Sequence, residues 1–308
     1  MMFYLQPIAA QIVDMSIRPS VISLFSGAGG STLGYRLGGF NELLGIDINQ
    51  IACNTFQQNF ALTPIWNREI SSVEIDEILQ YLELEVGELD VLDSSPPCVG
   101  FSICGSRNIQ DKRNDLALEP IRFITGLKPK VFLIENVPGL MKGKMRGRFN
   151  EIFTQLQSTG YKLKCKSINS IYYNVPQSRQ RLIFLGVRND LATEPIFPKP
   201  NLKVKTLKDV LPYIDFHSRG QFDKRIKNPK SLPYTITKTP SMFFVEDGAK
   251  RKPTIDELKI LSSFPDDFTF TGSYNQIWNQ IGNCVPPLMM RAISKTIRED
   301  ILQPVSDV

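Results

Sequence analysis

At 308 residues the chain is long enough for one large domain plus a smaller one, and its 42% hydrophobic and 22% charged residues are ordinary for a soluble globular protein. No stretch approaches the ~18 uninterrupted apolar residues of a membrane span, and Met1 to Arg18 has no basic start followed by an apolar run, so neither a membrane protein nor a signal peptide is expected. Five scattered cysteines without a CxxC pair, and a single histidine, exclude a disulfide framework, weaken any zinc site or histidine-dependent triad, and suggest a reducing cytoplasm.

In chain order, Val21 to Phe25 reads as an apolar strand, followed by the glycine turn Ser26-Gly27-Ala28-Gly29-Gly30-Ser31 and a helical pattern through Leu33 and Leu37. Leu43 to Ile46 reads as the next strand and ends at Asp47, with a helix expected from Gln50 to Asn59 and another from Ser72 to Leu84. Leu89 to Leu92 is a third strand running into Ser95-Pro96-Pro97-Cys98. A polar segment and a helix over 116–126 follow. Val131 to Ile134 is a fourth strand running into Glu135-Asn136, and a helix is expected over 148–159. Strands alternating with helices imply an α/β fold with a doubly wound, mostly parallel sheet.

After Thr159 the pattern changes. Leu163 to Ile168 and Arg181 to Val187 read as extended segments. The stretch 190–250 has many prolines and few helical periods, which suggests a small second domain after a large domain over 1–189. Between Lys199 and Lys252 there are 13 Lys and Arg against 5 Asp and Glu, whereas the rest of the chain carries 23 against 26. A positive excess confined to one segment suggests a face for a polyanion. His217, in that polar stretch, is expected at the surface. Thr254 with Glu257 three residues on forms a capping box for a helix. A last helix over Pro287 to Ile301 completes a C-terminal segment, 251–308, that bridges back to the large domain.

Four groupings carry chemistry. Glycines at a helix N-terminus let a ligand approach the backbone, and Asp47, 20 residues after Gly27, stands where an acid can take ribose hydroxyls. Alone this does not separate NAD, FAD, S-adenosylmethionine or a bare structural turn. Cys98 follows two prolines, which hold the backbone out of helix, and Glu135 ends a neighbouring strand. Open α/β sheets place ligands at the carboxyl ends of their strands, so a thiol and an acid are delivered to one crevice. Gln177, Arg179 and Arg181 share one face if the segment is a strand, and the arginines could hold Glu135, a phosphate or a base edge. Gln280 to Pro287 reads only as a turn entering a helix.

Taken together and in order, these residues resemble the bacterial-type DNA (cytosine-5) methyltransferases. Phe25-x-Gly27-x-Gly29-Gly30 resembles that family's cofactor motif, and Pro97-Cys98 its catalytic motif, continued by Gly100-Phe101-Ser102. Glu135-Asn136-Val137 and Gln177-x-Arg179-x-Arg181 are similar to two further motifs, Arg251 to Pro265 to another, and Gly282-Asn283-x-Val285 to the last. The resemblance implies a Rossmann-like methyltransferase domain with a small, mostly β or irregular target-recognition domain over 190–250. It implies methyl transfer from S-adenosylmethionine to C5 of a flipped-out cytosine in double-stranded DNA through a Cys98–C6 adduct. Glu135 would act at the base N3 and amine, while Arg179 and Arg181 fix the carboxyl and the base oxygen. Phe25, Gly27, Gly29, Gly30, Asp47, Glu69, Asn283 and Val285 would hold the cofactor.

For DNA, the resemblance and the local charge point to Ser102, Arg107, Arg113, Gln177, Arg219, Lys224, Arg225 and Lys227. No metal enters this scheme. A cytoplasmic, nucleoid-associated enzyme paired with a cognate restriction endonuclease is the expected setting. Two departures stand out: Val99 replaces the usual glutamine after the cysteine, and Ser23 an aspartate of the first strand. The alternatives are the tRNA-directed branch, whose Cys-Phe-Thr tripeptide is absent, and a silent DNA-binding or partner subunit, against which Cys98, Glu135, Arg179 and Arg181 argue.

Overall fold

The structure, a computed structural model, describes residues 18–97, 116–219, 226–228 and 230–303. The chain runs β1 (Ser20–Leu24), α1 (Gly30–Leu37), β2 (Asn41–Asp47), α2 (Gln50–Asn59), β3 (Ile65–Asn67), α3 (Ile75–Leu82), β4 (Val91–Ser94), α4 (Glu119–Leu127), β5 (Val131–Asn136) and α5 (Arg146–Gln157). It continues with β6 (Tyr161–Asn169) and β7 (Gln180–Arg188), then α6 (Leu207–Val210), β8 (Phe216–Arg219), β9 (Ile226–Lys227), β10 (Met242–Glu246) and β11 (Ala249–Arg251). Helices α7 (Ile255–Leu261), α8 (Tyr274–Asn283) and α9 (Pro287–Thr296) follow.

Seven strands form the large sheet in the order β3-β2-β1-β4-β5-β7-β6. From β3 to β5 every pair is parallel, whereas β7 lies antiparallel between β5 and β6. This is the doubly wound α/β sheet that the alternation of strands and helices predicts. The chain winds outward from β1 towards β3 and then returns to β4 on the other side, so the order reverses between β1 and β4. A crevice opens at such a reversal, beyond the carboxyl ends of the two strands.

Alternate residues of each strand feed opposite faces. Phe132 and Ile134 of β5 enter a core with α3, α4 and α5, while Val131 and Leu133 enter a second core with α1 and α9. The C-terminal helix α9 thus returns to the large sheet through Met289, Met290 and Ile293.

The smaller sheet, β11-β10-β8-β9, is antiparallel. Its core gathers Leu207, Leu211, Ile236, Met242 and Phe244 with Leu258 and Leu261 of α7 and Trp278 and Ile281 of α8. Packing therefore groups α7 and α8 with the small sheet, where the sequence suggested a unit ending near residue 250.

Two expectations are corrected. His217 is fully buried: its Nε2 lies 3.0 Å from Ser231 Oγ, and its ring meets Tyr234 edge-on. The stretch before Gly282 is helix α8, started by Gln276 Oε1 accepting the Ser273 N–H at 2.8 Å.

The Thr254 box forms as expected: Glu257 Oε2 accepts the Thr254 N–H at 2.6 Å, and Thr254 Oγ1 accepts the Glu257 N–H at 3.2 Å. Thr254→Ala removes one cap bond. A thermal melt should show a loss of about 1 kcal/mol, or about 2 °C in Tm; an unchanged Tm would mean the box adds nothing.

Candidate active site at the switch point of the sheet

Strand β1 ends at Leu24 and β4 at Ser94, side by side in register. Both run directly into the residues singled out by sequence. The Ser95 N–H donates to Leu24 O and the Ser26 N–H to Ile46 O, so the turn after β1 is held to both neighbouring strands. Phe25 takes φ +56°, a left-handed conformation that costs a non-glycine residue about 1–2 kcal/mol. Backbone strain of this kind gathers at functional sites.

The three glycines of the turn differ in why they are glycine. Gly27, at φ +55°, faces open space within 4 Å of where a Cβ would stand. Gly29, at φ +87°, lies against the Phe60 ring. At Gly30 a Cβ would fall 2.6 Å from Val285 O and 2.9 Å from Cys284 Cβ. Only Gly27 therefore opens towards a ligand. Gly29 and Gly30 bring protein to protein, which narrows the expectation that all three approach a cofactor. The same contact explains why Val285, 3% exposed, closes on the turn.

Asp47 ends β2 and reaches back across the turn. Its Oδ2 accepts the Gly27 N–H at 2.8 Å and its Oδ1 the Asn49 N–H at 2.8 Å. Burial pushes its pKa up, and the two N–H donors pull it back. Each oxygen keeps a second lone pair. Glu69 is exposed just before the 3-10 turn Ile70–Ser72, and Asn283, the exposed last residue of α8, bonds to Asn279.

The sequence reading missed Ile48. It follows Asp47 directly and is 67% exposed, an apolar side chain at the rim of the crevice. An isoleucine directly after a strand-ending acid was the available signal. Ser26, Ser94 and Ser95 also place buried hydroxyls there with no hydrogen-bond partner in the structure. Such orphans fit a polar ligand or ordered water.

Glu135 is 7% exposed at the end of β5, opposite Ile183 of β7. Arg181 stands two residues before Ile183 and so on the same face, diagonal to Glu135. Its Nε lies 2.6 Å from Glu135 Oε1, and both side chains are nearly buried. An arginine on a carboxylate in this setting fixes the acid's orientation.

Arg179 and Gln177 require correction. They precede β7, which begins at Gln180, so they do not share a strand face with Arg181. Arg179, 2% exposed, donates from Nη1 to Ile236 O and from Nη2 to Gly282 O, each at 2.8 Å. Both terminal nitrogens are thus engaged by main-chain carbonyls rather than by the carboxyl or a base. Gln177, 1% exposed, donates to Leu261 O and Ser262 Oγ and accepts from the Ile236 N–H. It is too enclosed to touch DNA.

The described chain stops at Pro97, next to Cys98. Cys98, Ser102, Arg107, Arg113, Lys224 and Arg225 lie outside the described residues. Arg219 and Lys227 fall on β8 and β9 of the small sheet. Among the described residues no group of His, Cys, Asp and Glu is gathered to hold a metal ion, and no helix is long and apolar enough to cross a membrane.

A strained glycine turn at the switch point of a doubly wound sheet, with an arginine-held carboxyl at the end of β5, defines a Rossmann-like site. The family model for C-5 cytosine-specific DNA methylases matches residues 20–228 and 214–299, and the chain belongs to that family.

It is 36% identical to the type II methyltransferase M.XorII of Xanthomonas oryzae pv. oryzae, over 91% of this chain and 84% of that one. It is 31% identical to the type II methyltransferase M1.HphI of Haemophilus parahaemolyticus, over 90% of this chain and 86% of that one. A solved E. coli structure described as a prophage-encoded DNA modification methyltransferase shares the fold. Its TM-score is 0.76 at 24% identity, covering 93% of this chain and all of the other.

Proposed function

We propose that this DNA (cytosine-5) methyltransferase uses S-adenosylmethionine to methylate a cytosine flipped out of double-stranded DNA, as the modification half of a restriction–modification system. The observation that carries the chemistry is the Glu135–Arg181 pair, in which Arg181 of β7 holds Glu135 at the end of β5, the strand beside the one that leads to Pro97 and Cys98.

Carbon 5 of cytosine is a weak nucleophile. The Cys98 thiolate would add to C6, forming a C6–S bond and placing electron density at C5. Glu135, oriented by Arg181, would hydrogen-bond N3 and the exocyclic amine and hold the proton that stabilises this charge. When bound, S-adenosylmethionine supplies an electrophilic methyl group to C5. Loss of the C5 proton to a base and cleavage of the C6–S bond then return the thiolate.

The cofactor fits the residues at the crevice. Gly27 leaves room beside the turn, Ile48 and Phe25 offer apolar surface for an adenine, and Asp47 and Glu69 offer carboxyl oxygens. Val285 borders the same turn, and Asn283 stands two residues before it. The segment 190–250 is read as the target-recognition domain, with Arg219, Lys224, Arg225 and Lys227 as phosphate contacts and Ser102, Arg107 and Arg113 as further DNA contacts. The type II relatives support a cognate restriction endonuclease as partner and a place with the cell's DNA.

The test is base-resolution mapping of 5-methylcytosine in DNA from a methylation-free host expressing this chain. Methylated cytosines in one short context support the reading. A mark in every context would mean the recognition domain reads little, and no mark from folded protein would overturn it.

A further inference from the structure

An extended strap of the small unit, residues 233–238, is gripped from two sides. On one side stands the segment that precedes β7. The Ser178 N–H donates to Pro233 O at 3.2 Å, and Thr235 Oγ1 donates to Ser178 O. Gln177 Oε1 accepts the Ile236 N–H at 3.0 Å, and Arg179 Nη1 donates to Ile236 O at 2.8 Å. On the other side stands α8. Trp278 Nε1 donates to Thr237 O at 2.8 Å, and Asn279 Nδ2 to Lys238 O at 3.3 Å.

Arg179 is the group common to both sides. Its second nitrogen reaches Gly282 O at the end of α8, directly before the Asn283–Val285 segment that closes on Gly30. The guanidinium is a planar fork with fixed angles. Its two carbonyl bonds set the strap, α8 and the root of β7 at one mutual distance. The side chain is 2% exposed, so water does not compete for those bonds.

We infer that Arg179 is a positioning residue, which fixes the recognition segment against the catalytic sheet. This rests on reading residues 190–250 as that segment. A lysine at 179 keeps the charge but presents a single nitrogen without the fork. The strap then loses its fixed distance from α8 and the root of β7, while Glu135 and Arg181 keep their pairing.

The experiment compares Arg179→Lys, Trp278→Phe and the double variant. Each is tested on a duplex carrying the mapped methylation context and on the same duplex with one base pair changed, and folding is checked by thermal melts. Arg179→Lys should raise KM for the cognate duplex about tenfold, the size of one buried charged hydrogen bond. Discrimination against the altered duplex should fall, and kcat at saturating DNA should change much less. Trp278→Phe, which keeps the ring but not the bond to Thr237 O, should shift KM in the same direction. The double variant should show less than the product of the two effects, because both act on one strap.

A kcat collapse in Arg179→Lys at saturating DNA with KM unchanged would place Arg179 on the base and overturn the inference. A lowered Tm with unchanged KM and discrimination would overturn it as well. If Arg179→Lys does not fold, Trp278→Phe decides alone: a raised KM supports the inference and an unchanged one overturns it. A wild-type protein that methylates no DNA context would instead remove the underlying reading before any variant is compared.

Discussion

Cys98→Ser should give a protein that binds DNA and methylates none of it, whereas Glu135→Gln should keep the thiol and lose about 10²–10⁴-fold in rate. The serine hydroxyl lacks the acidity that makes a thiol a ready nucleophile. In Glu135→Gln the amide oxygen still accepts from Arg181 Nε, which now reaches Glu135 Oε1 at 2.6 Å, so the side chain keeps its place. What is lost is a group that can hold a proton towards N3. Duplexes containing 5-fluorocytosine separate the two variants, because fluorine at C5 cannot leave as a cation and the C6–S adduct is trapped. Wild type should form the adduct, Glu135→Gln should form it slowly, and Cys98→Ser not at all. An adduct from Cys98→Ser would remove Cys98 as the nucleophile, and wild-type speed from Glu135→Gln would remove Glu135 as the group that holds the proton.

The doubly wound sheet could be read from the sequence because its strands are short apolar runs between helical patterns, and their order decides where the crevice falls. Helix α2 begins and ends at the expected residues, since Asn49 caps it visibly, with its side chain accepting from the Ile51 and Ala52 N–H groups. Glu135, Asp47 and the glycine turn were legible because each ends or follows such a run. The roles of Gln177 and Arg179 were not. A polar residue before a strand looks the same whether it faces DNA or a carbonyl, and their partners, Ile236 and Gly282, are remote in sequence. Helix α8 was hidden by Asn279, Gly282 and Asn283, which read as turn residues. The burial of His217 was hidden because Ser231 and Tyr234, which enclose it, lie in a stretch without periodic pattern.

Glu42→Gln should stabilise the protein at neutral and alkaline pH. Glu42 is 3% exposed beneath α1, with the Ser23 and Thr32 hydroxyls beside its carboxyl. Burial, with Asp93 adding to it, pushes its pKa up while Ser23, Arg36 and Thr32 pull it down, and the balance raises it from 4.5 to about 8. Asp93, paired in register with Ser23 and within 3.4 Å of the Tyr35 hydroxyl, is likewise raised by burial to about 7. A carboxyl with a raised folded-state pKa holds its proton in the native chain after the unfolded chain has released it. Its contribution to stability is therefore whole below pH 4.5 and declines until about pH 8, beyond which it is level.

The slope is about 1.4 kcal/mol per pH unit, so the decline due to Glu42 between pH 5.5 and 8 is on the order of 3 kcal/mol. Glutamine has the same shape, carries no charge, and can donate its amide protons to the Ser23 and Thr32 hydroxyls beside it. Melts at intervals from pH 5.5 to 8.5 should show wild-type Tm falling, by roughly 5 °C from this group. The Glu42→Gln curve should be flatter and lie above it at the alkaline end, with Asp93 accounting for the slope that remains. Two parallel curves would mean that Glu42 takes no proton on folding and that its burial is compensated where it stands.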